Sequence, residues 1–146
     1  MNETLGPTID SVDAPLPQDE ETVRTQVLGL IANLYSRTEV NERRRAQRYP
    51  FPYLVHLTPV GEEHSTPEGE TMVVIGKHIS DRGLGFYHAK PLPYRRMIAS
   101  LEAGQGRWLS FLIDLSWCRF TKQGWYESGG RLIEAVPTPK EAVAAE

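Results

Sequence analysis

At 146 residues, 40% apolar and 24% charged, the chain has the size and balance of one soluble globular domain with short tails. No apolar run is long enough to span a bilayer, the polar acidic N-terminus is unlike a signal peptide, and the lone Cys118 excludes an internal disulfide and argues against a cysteine-built metal site. The net charge of −3 hides an asymmetry: residues 1–23 hold six acids and no Lys or Arg, so sixteen bases face thirteen acids in the remainder, a mildly basic body suited to a small anion but not to a nucleic-acid duplex.

Residues 1–18, with Pro7, Pro15, Pro17 and scattered acids, read as a disordered acidic tail. An amphipathic helix is expected over 19–42. Asp19 can cap it, Glu20 and Glu21 suit its first turn, and Val23, Val27, Leu30, Ile31 and Leu34 recur at helical spacing. That stripe can pack on the domain body or on a second copy of the chain. The helix should fade before Pro50, because the residue preceding a proline avoids helical angles.

Between helix and first strand lies a basic linker, 43–50, carrying Arg43, Arg44, Arg45 and Arg48. A planar guanidinium grips two acceptors at once, so four of them in six residues fit a phosphate or a guanine edge. A solvated charge run at the end of a helix fits the same residues. Neither reading is preferred on this stretch alone.

From Pro52 the apolar period changes from helix to strand. Tyr53–Thr58, Thr71–Ile79, Leu84–His88, Arg95–Leu101, Trp108–Phe120 and Trp125–Val136 are six strand candidates, separated by turn-forming residues. Ser80-Asp81-Arg82-Gly83 makes one tight turn; Thr121–Gly124 closes a hairpin with Gly124 available for a positive φ. Residues 137–146 read as a flexible tail. Six short strands at near-regular spacing imply an all-β antiparallel barrel or sandwich.

The turn His78-Ile79-Ser80-Asp81-Arg82-Gly83, taken with Arg44 and Arg48, resembles the PilZ domain, a bacterial receptor module for cyclic di-GMP. That family carries two arginines separated by three residues before its first strand, and an Asp-or-Asn, any, Ser, any two, Gly pattern at a later strand turn. Here Arg44 and Arg48 have that spacing and lead into Tyr49-Pro50; Ser80 and Gly83 are in register, followed by Leu84-Gly85-Phe86. Trp117-Cys118-Arg119 and Tyr126-Glu127-Ser128-Gly129-Gly130 resemble the family's closing hairpin. The likeness spans roughly residues 43–136 and implies a six-stranded antiparallel barrel. One position departs: His78 stands where the family has Asp or Asn. A carboxylate can accept from guanine N1–H and its exocyclic amine together, whereas a neutral imidazole offers one acceptor.

The resemblance implies that Arg44 and Arg48 bind phosphate oxygens and guanine O6/N7 and stack on the base, with Arg43 and Arg45 as auxiliary charges. Ser80 would hydrogen-bond phosphate or guanine, His78 would face the ligand, and Gly83 would let the backbone turn closely beneath it. No cofactor and no catalytic role are expected. Cys118 and the tryptophans Trp108, Trp117 and Trp125 are expected in the core or at its rim, the four histidines show no metal-ligand spacing, and Asp114 and Glu127 have no evident carboxylate partner. Two functions follow. One is a cytoplasmic cyclic di-GMP receptor that orders its arginine linker and signals to a protein partner, without nucleic-acid binding or membrane insertion. The other is a PilZ-type interaction module that no longer binds the nucleotide.

Overall fold

The computed structural model describes residues 15–34, 48–61 and 66–145. Within them the order is α1 (Pro15–Leu34), β1 (Tyr49–Pro50), β2 (Leu54–Pro59), β3 (Met72–Ile79), β4 (Gly83–His88), β5 (Arg96–Gly104), β6 (Arg107–Phe120), β7 (Tyr126–Ala135) and α2 (Lys140–Ala144). All strand pairings are antiparallel. The sequence β3-β2-β5-β6-β7-β4 returns from β4 to β3, which closes a six-stranded barrel, and β1 pairs outside it with β3. The expected all-β barrel with an N-terminal helix is therefore present; β1 is an addition, and strand two onward follow the six candidates to within a few residues.

Inward side chains fill the barrel. Phe51, Val55, Leu57, Ile79, Phe86, Met97, Leu101, Phe111 and Ile113 are essentially inaccessible to solvent. The α1 stripe belongs to the same core: Val23, Val27, Leu30 and Ile31 are buried and Leu34 packs beside them. Between the two sequence options, packing on the body is the one realised. Each such side chain contributes about 1.5–3 kcal/mol when fully buried, so a charge at Val27 would release the helix. Glu20 and Arg24 lie beside Asp81 and Arg131, while Asn33 and Leu34 lie beside Ala103 and Gly104, so α1 crosses the barrel end that carries the β3–β4 and β5–β6 turns.

Two boundaries differ from the sequence reading. The helix starts at Pro15, inside the stretch expected to be disordered, so Asp19, Glu20 and Glu21 fall beyond its first turn. First-turn amides have no intrahelical acceptor, which is why Pro15 and Pro17 are tolerated there. The segment expected to extend the helix to 42 lies outside the described residues. Beyond β7 the tail expected to be flexible forms α2, which buries Ala142 and accepts at the Ala142 carbonyl a hydrogen bond from His56 Nδ1 at 2.6 Å. That contact explains why β2 is buried on both faces instead of alternating: α2 covers what would have been its wet side.

The aromatic and cysteine expectations also change. Cys118, Trp117 and Trp125 are exposed, because β6 runs 14 residues and its last five have no core behind them. At the tip, Gly124 adopts φ +99° and its amide donates to the Thr121 carbonyl at 3.1 Å, closing the expected hairpin.

Candidate functional site

The outer face of β3, β4, β7 and β6 is organised by register. One cross-strand row reads His78, Gly85, Gly129, Trp117. A Cβ on Gly85 would lie 2.6 Å from His78 Cε1, and one on Gly129 would lie 2.5 Å from Trp117 Cζ2. Both rings therefore lie on bare backbone, and any side chain at either glycine would push them off. Two irregularities aim these rings. The β3–β4 register shifts between Gly76 and His78, and the β6–β7 register shifts between Leu115 and Trp117. Each leaves one extra residue, Lys77 and Ser116, and redirects the side chain that follows.

The next row reads Tyr87, Glu127, Arg119. Glu127 is 3% exposed and fully engaged: Arg119 Nε and Nη2 donate to Oε1 at 3.2 and 3.0 Å, and Lys77 Nζ donates to Oε2. Lys77 reaches it from the bulge, passing over the Tyr87 ring at 5.7 Å from the centroid. Burial alone raises the pKa of a carboxyl, but the hydrogen bonds and charges of Lys77 and Arg119 outweigh it and hold Glu127 below its usual range. His78 is shifted down as well, first by burial and then by the charges of Arg48 and Lys77, against an opposing pull from Glu127. It is neutral at pH 7.

Two adjoining cavities lie on this face. One, about 280 Å³, is bounded by Arg48, His78, Ser80, Arg82, Gly83 and Trp117, among others. The second, about 310 Å³, is bounded by Arg48, Lys77, His78, Trp117, Arg119 and Glu127. Four residues singled out in the sequence, Arg48, His78, Ser80 and Gly83, thus meet at one opening although they come from two separate stretches of chain. Arg43, Arg44 and Arg45 lie outside the described residues. Arg48 and Arg82 make no ion pair among the described residues, so both cations are free to meet an anion.

Ser80 and Gly83 also have work inside the fold. Ser80 Oγ accepts from the amides of Arg82 at 3.3 Å and Gly83 at 3.1 Å, which caps the turn and leaves the hydroxyl proton for an outside acceptor. A Cβ on Gly83 would sit 2.9 Å from the Gly130 carbonyl oxygen, so glycine is required there by the approach of β7.

Trp117, Lys77, Arg119 and Glu127 were not singled out from sequence as site residues. The Gly129-Gly130 pair inside a strand was the available signal, since paired glycines in a strand mark a bulge or a close approach. Lys77 and Glu127 meet only because β4 lies between β3 and β7, which no local pattern reveals.

The remaining buried histidines are structural. His88 Nδ1 donates to the Lys90 carbonyl at 2.6 Å and Nε2 accepts from Ser128 Oγ at 2.7 Å, and its ring stacks on Tyr126. Among the described residues, no group of three or more His, Cys, Asp or Glu side chains is placed to hold a metal ion, and no helix is long and apolar enough to cross a membrane. Comparison with protein-family models and with curated proteins finds no match.

Proposed function

We propose that this chain is a cytoplasmic receptor for cyclic di-GMP, acting by binding and not by catalysis, and taking the nucleotide on the outer face of β3, β4, β7 and β6. The observation that carries this reading is the convergence of Arg48, His78, Ser80 and Gly83 on one cavity beside Trp117. The ligand has two phosphate charges and two flat bases. Arg48 and Arg82, which have no ion pair among the described residues, supply forks for the phosphates, the Ser80 hydroxyl supplies one donor, and the exposed Trp117 indole supplies a stacking plane. Arg44, four residues before Arg48, and its neighbours Arg43 and Arg45 are assigned to the same ligand. Engagement of this arginine segment, which lies between α1 and β1 in the chain, transmits occupancy through α1 to a protein partner.

Calorimetric titration of the full chain with cyclic di-GMP, with GMP as control, tests this. Saturable binding of the cyclic dinucleotide, with GMP markedly weaker, is the expected result; absence of binding would remove the receptor reading. A second reading, a docking module that needs no nucleotide, is favoured by a different observation. Leu54, Val73 and Ile75 are exposed apolar residues on one face of β2 and β3, with Leu54 and Ile75 directly paired.

A further inference from the structure

The chemistry that distinguishes guanine from other bases lies along its Watson–Crick edge, where N1–H and the exocyclic amine present two parallel donors. A carboxylate is the matching acceptor. The position expected to provide it carries His78, whose neutral ring offers one acceptor at most. Yet the same face holds a carboxylate one row away: Glu127 bounds the second cavity together with Arg48, His78 and Trp117.

Resting on the receptor reading, we infer that Glu127, and not His78, is the residue that reads the base: its carboxylate accepts guanine N1–H and N2–H while the base lies against Trp117. A carboxylate has about four acceptor positions, and three are used, two by Arg119 on Oε1 and one by Lys77 on Oε2. Arg119 is the partner able to leave. Its side chain is 67% exposed and its only ion pair among the described residues is with Glu127. When a phosphate arrives, Arg119 turns to it and vacates Oε1, and the guanine edge takes the vacated position. Lys77 stays on Oε2. The exchange leaves each charge with a partner before and after, so it carries no cost of an uncompensated buried carboxylate. The depressed pKa of Glu127 supports this geometry, because the group enters the exchange ionised and acceptor-only.

Adenine cannot take part in the same way. Its N1 is an acceptor and would face the carboxylate directly, leaving one donor in place of two. Selectivity for guanine over adenine cyclic dinucleotides therefore resides in Glu127, whereas stacking on Trp117 is indifferent to the base.

The test titrates the full chain with cyclic di-GMP and with cyclic di-AMP, for the native protein and for Glu127→Gln, Glu127→Asp and Trp117→Ala. The native protein is expected to favour the guanine form. Glu127→Gln should weaken cyclic di-GMP by roughly tenfold or more and leave cyclic di-AMP unchanged or tighter. Glu127→Asp keeps the charge opposite Lys77 and Arg119, which protects the fold, and withdraws the carboxylate by one methylene; the same loss of preference is expected. Trp117→Ala should weaken both nucleotides alike. If the Glu127 variants keep the native guanine preference, or lose both nucleotides equally, Glu127 serves only to neutralise Lys77 and Arg119 and the inference is overturned while the receptor reading stands. If the native protein binds neither nucleotide, the receptor reading falls and the inference with it.

Discussion

Glu127 and Asp81 are both buried carboxylates beside arginine, 3% and 7% exposed, and they are held in opposite ways. Glu127 sits on β7 close to the β6–β7 hairpin, with three hydrogen bonds from two cations, Arg119 on the adjacent β6 and Lys77 on β3 beyond β4. Asp81 sits in the β3–β4 turn, under α1. Its Oδ2 is 3.4 Å from Arg24 Nε, and its Oδ1 is buried with no partner among the described residues. The first is a network in which both carboxylate oxygens have a cationic partner. The second is a seam between helix and barrel, where burial removes water without a full replacement. The difference teaches where this molecule is rigid and where it can part: the β-face site is fixed by strand register, and the helix rests on apolar packing with polar contacts that add little.

Removing Glu127 should be the largest disturbance of that contrast. Glu127→Ala is expected to cost about 2 kcal/mol in urea denaturation, from the loss of charge-assisted hydrogen bonds whose cations are partly solvated and so only partly stranded. The effect has a pH signature. Because the folded pKa of Glu127 lies below its ordinary 4.5, its stabilisation is fully present above that pH and is lost as pH falls through the folded value. An unchanged acid limb in Glu127→Gln would break the claim that this network is the tighter of the two.

Next in size is an effect on binding that separates the two sides of the β3–β4 turn. Arg48→Ala should weaken cyclic di-GMP by about 1–3 kcal/mol, as for loss of a bidentate contact, while Arg24→Ala on the helix side should leave affinity unchanged. Arg43→Ala should cost clearly less than Arg48→Ala. Equal losses at all three positions in the same titration would mean diffuse attraction, and the assignment of binding to the β-face would have to go.

Asp81→Ala should cost less than about 1 kcal/mol, since it removes one long pair to a half-exposed arginine together with an unsatisfied buried oxygen. A loss as large as that of Glu127→Ala would show that Asp81 is satisfied in solution and that the seam is tight.

The smallest expected effect belongs to His78. Its folded pKa lies below 6.5, so the unfolded chain binds the proton more readily; stability is undiminished above pH 6.5 and declines as pH falls from there toward the folded value. His78→Gln should flatten that decline by a few tenths of a kcal/mol in paired melts at pH 7 and pH 5.5. A steeper decline in the variant would place the responsible group elsewhere.

Local features of the sequence carried the strands, the Thr121–Gly124 hairpin and the α1 stripe, because each depends on neighbours within a few residues. The gathering of Arg48, His78, Ser80 and Gly83 was an expectation carried by the family resemblance of the two motifs, not by local spacing. What stayed hidden depends on contacts far apart in the chain. The second face of β2 is buried only because α2 returns 86 residues after His56. The exposure of Trp117 and Cys118 depends on β6 outrunning its core, and the meeting of Glu127 with Lys77 depends on β4 lying between β3 and β7. Even Asp81 was visible only as a turn residue, since its burial is conferred by a helix more than fifty positions upstream.

Closure of the barrel limits the grammar by which this chain can address another protein. A strand with free amides and carbonyls invites an extended peptide to pair with it through backbone alone. Among the described residues β2 to β7 each have at least two neighbours, and the strand outside the ring, Tyr49–Pro50, is two residues long with a proline that has no amide to donate. Backbone pairing along the barrel wall is thereby closed to partners and to misassembled copies alike. Any partner must recognise side chains: the apolar face around Leu54 and Ile75, the exposed rings of the β6–β7 tip, or the outward surface of α1.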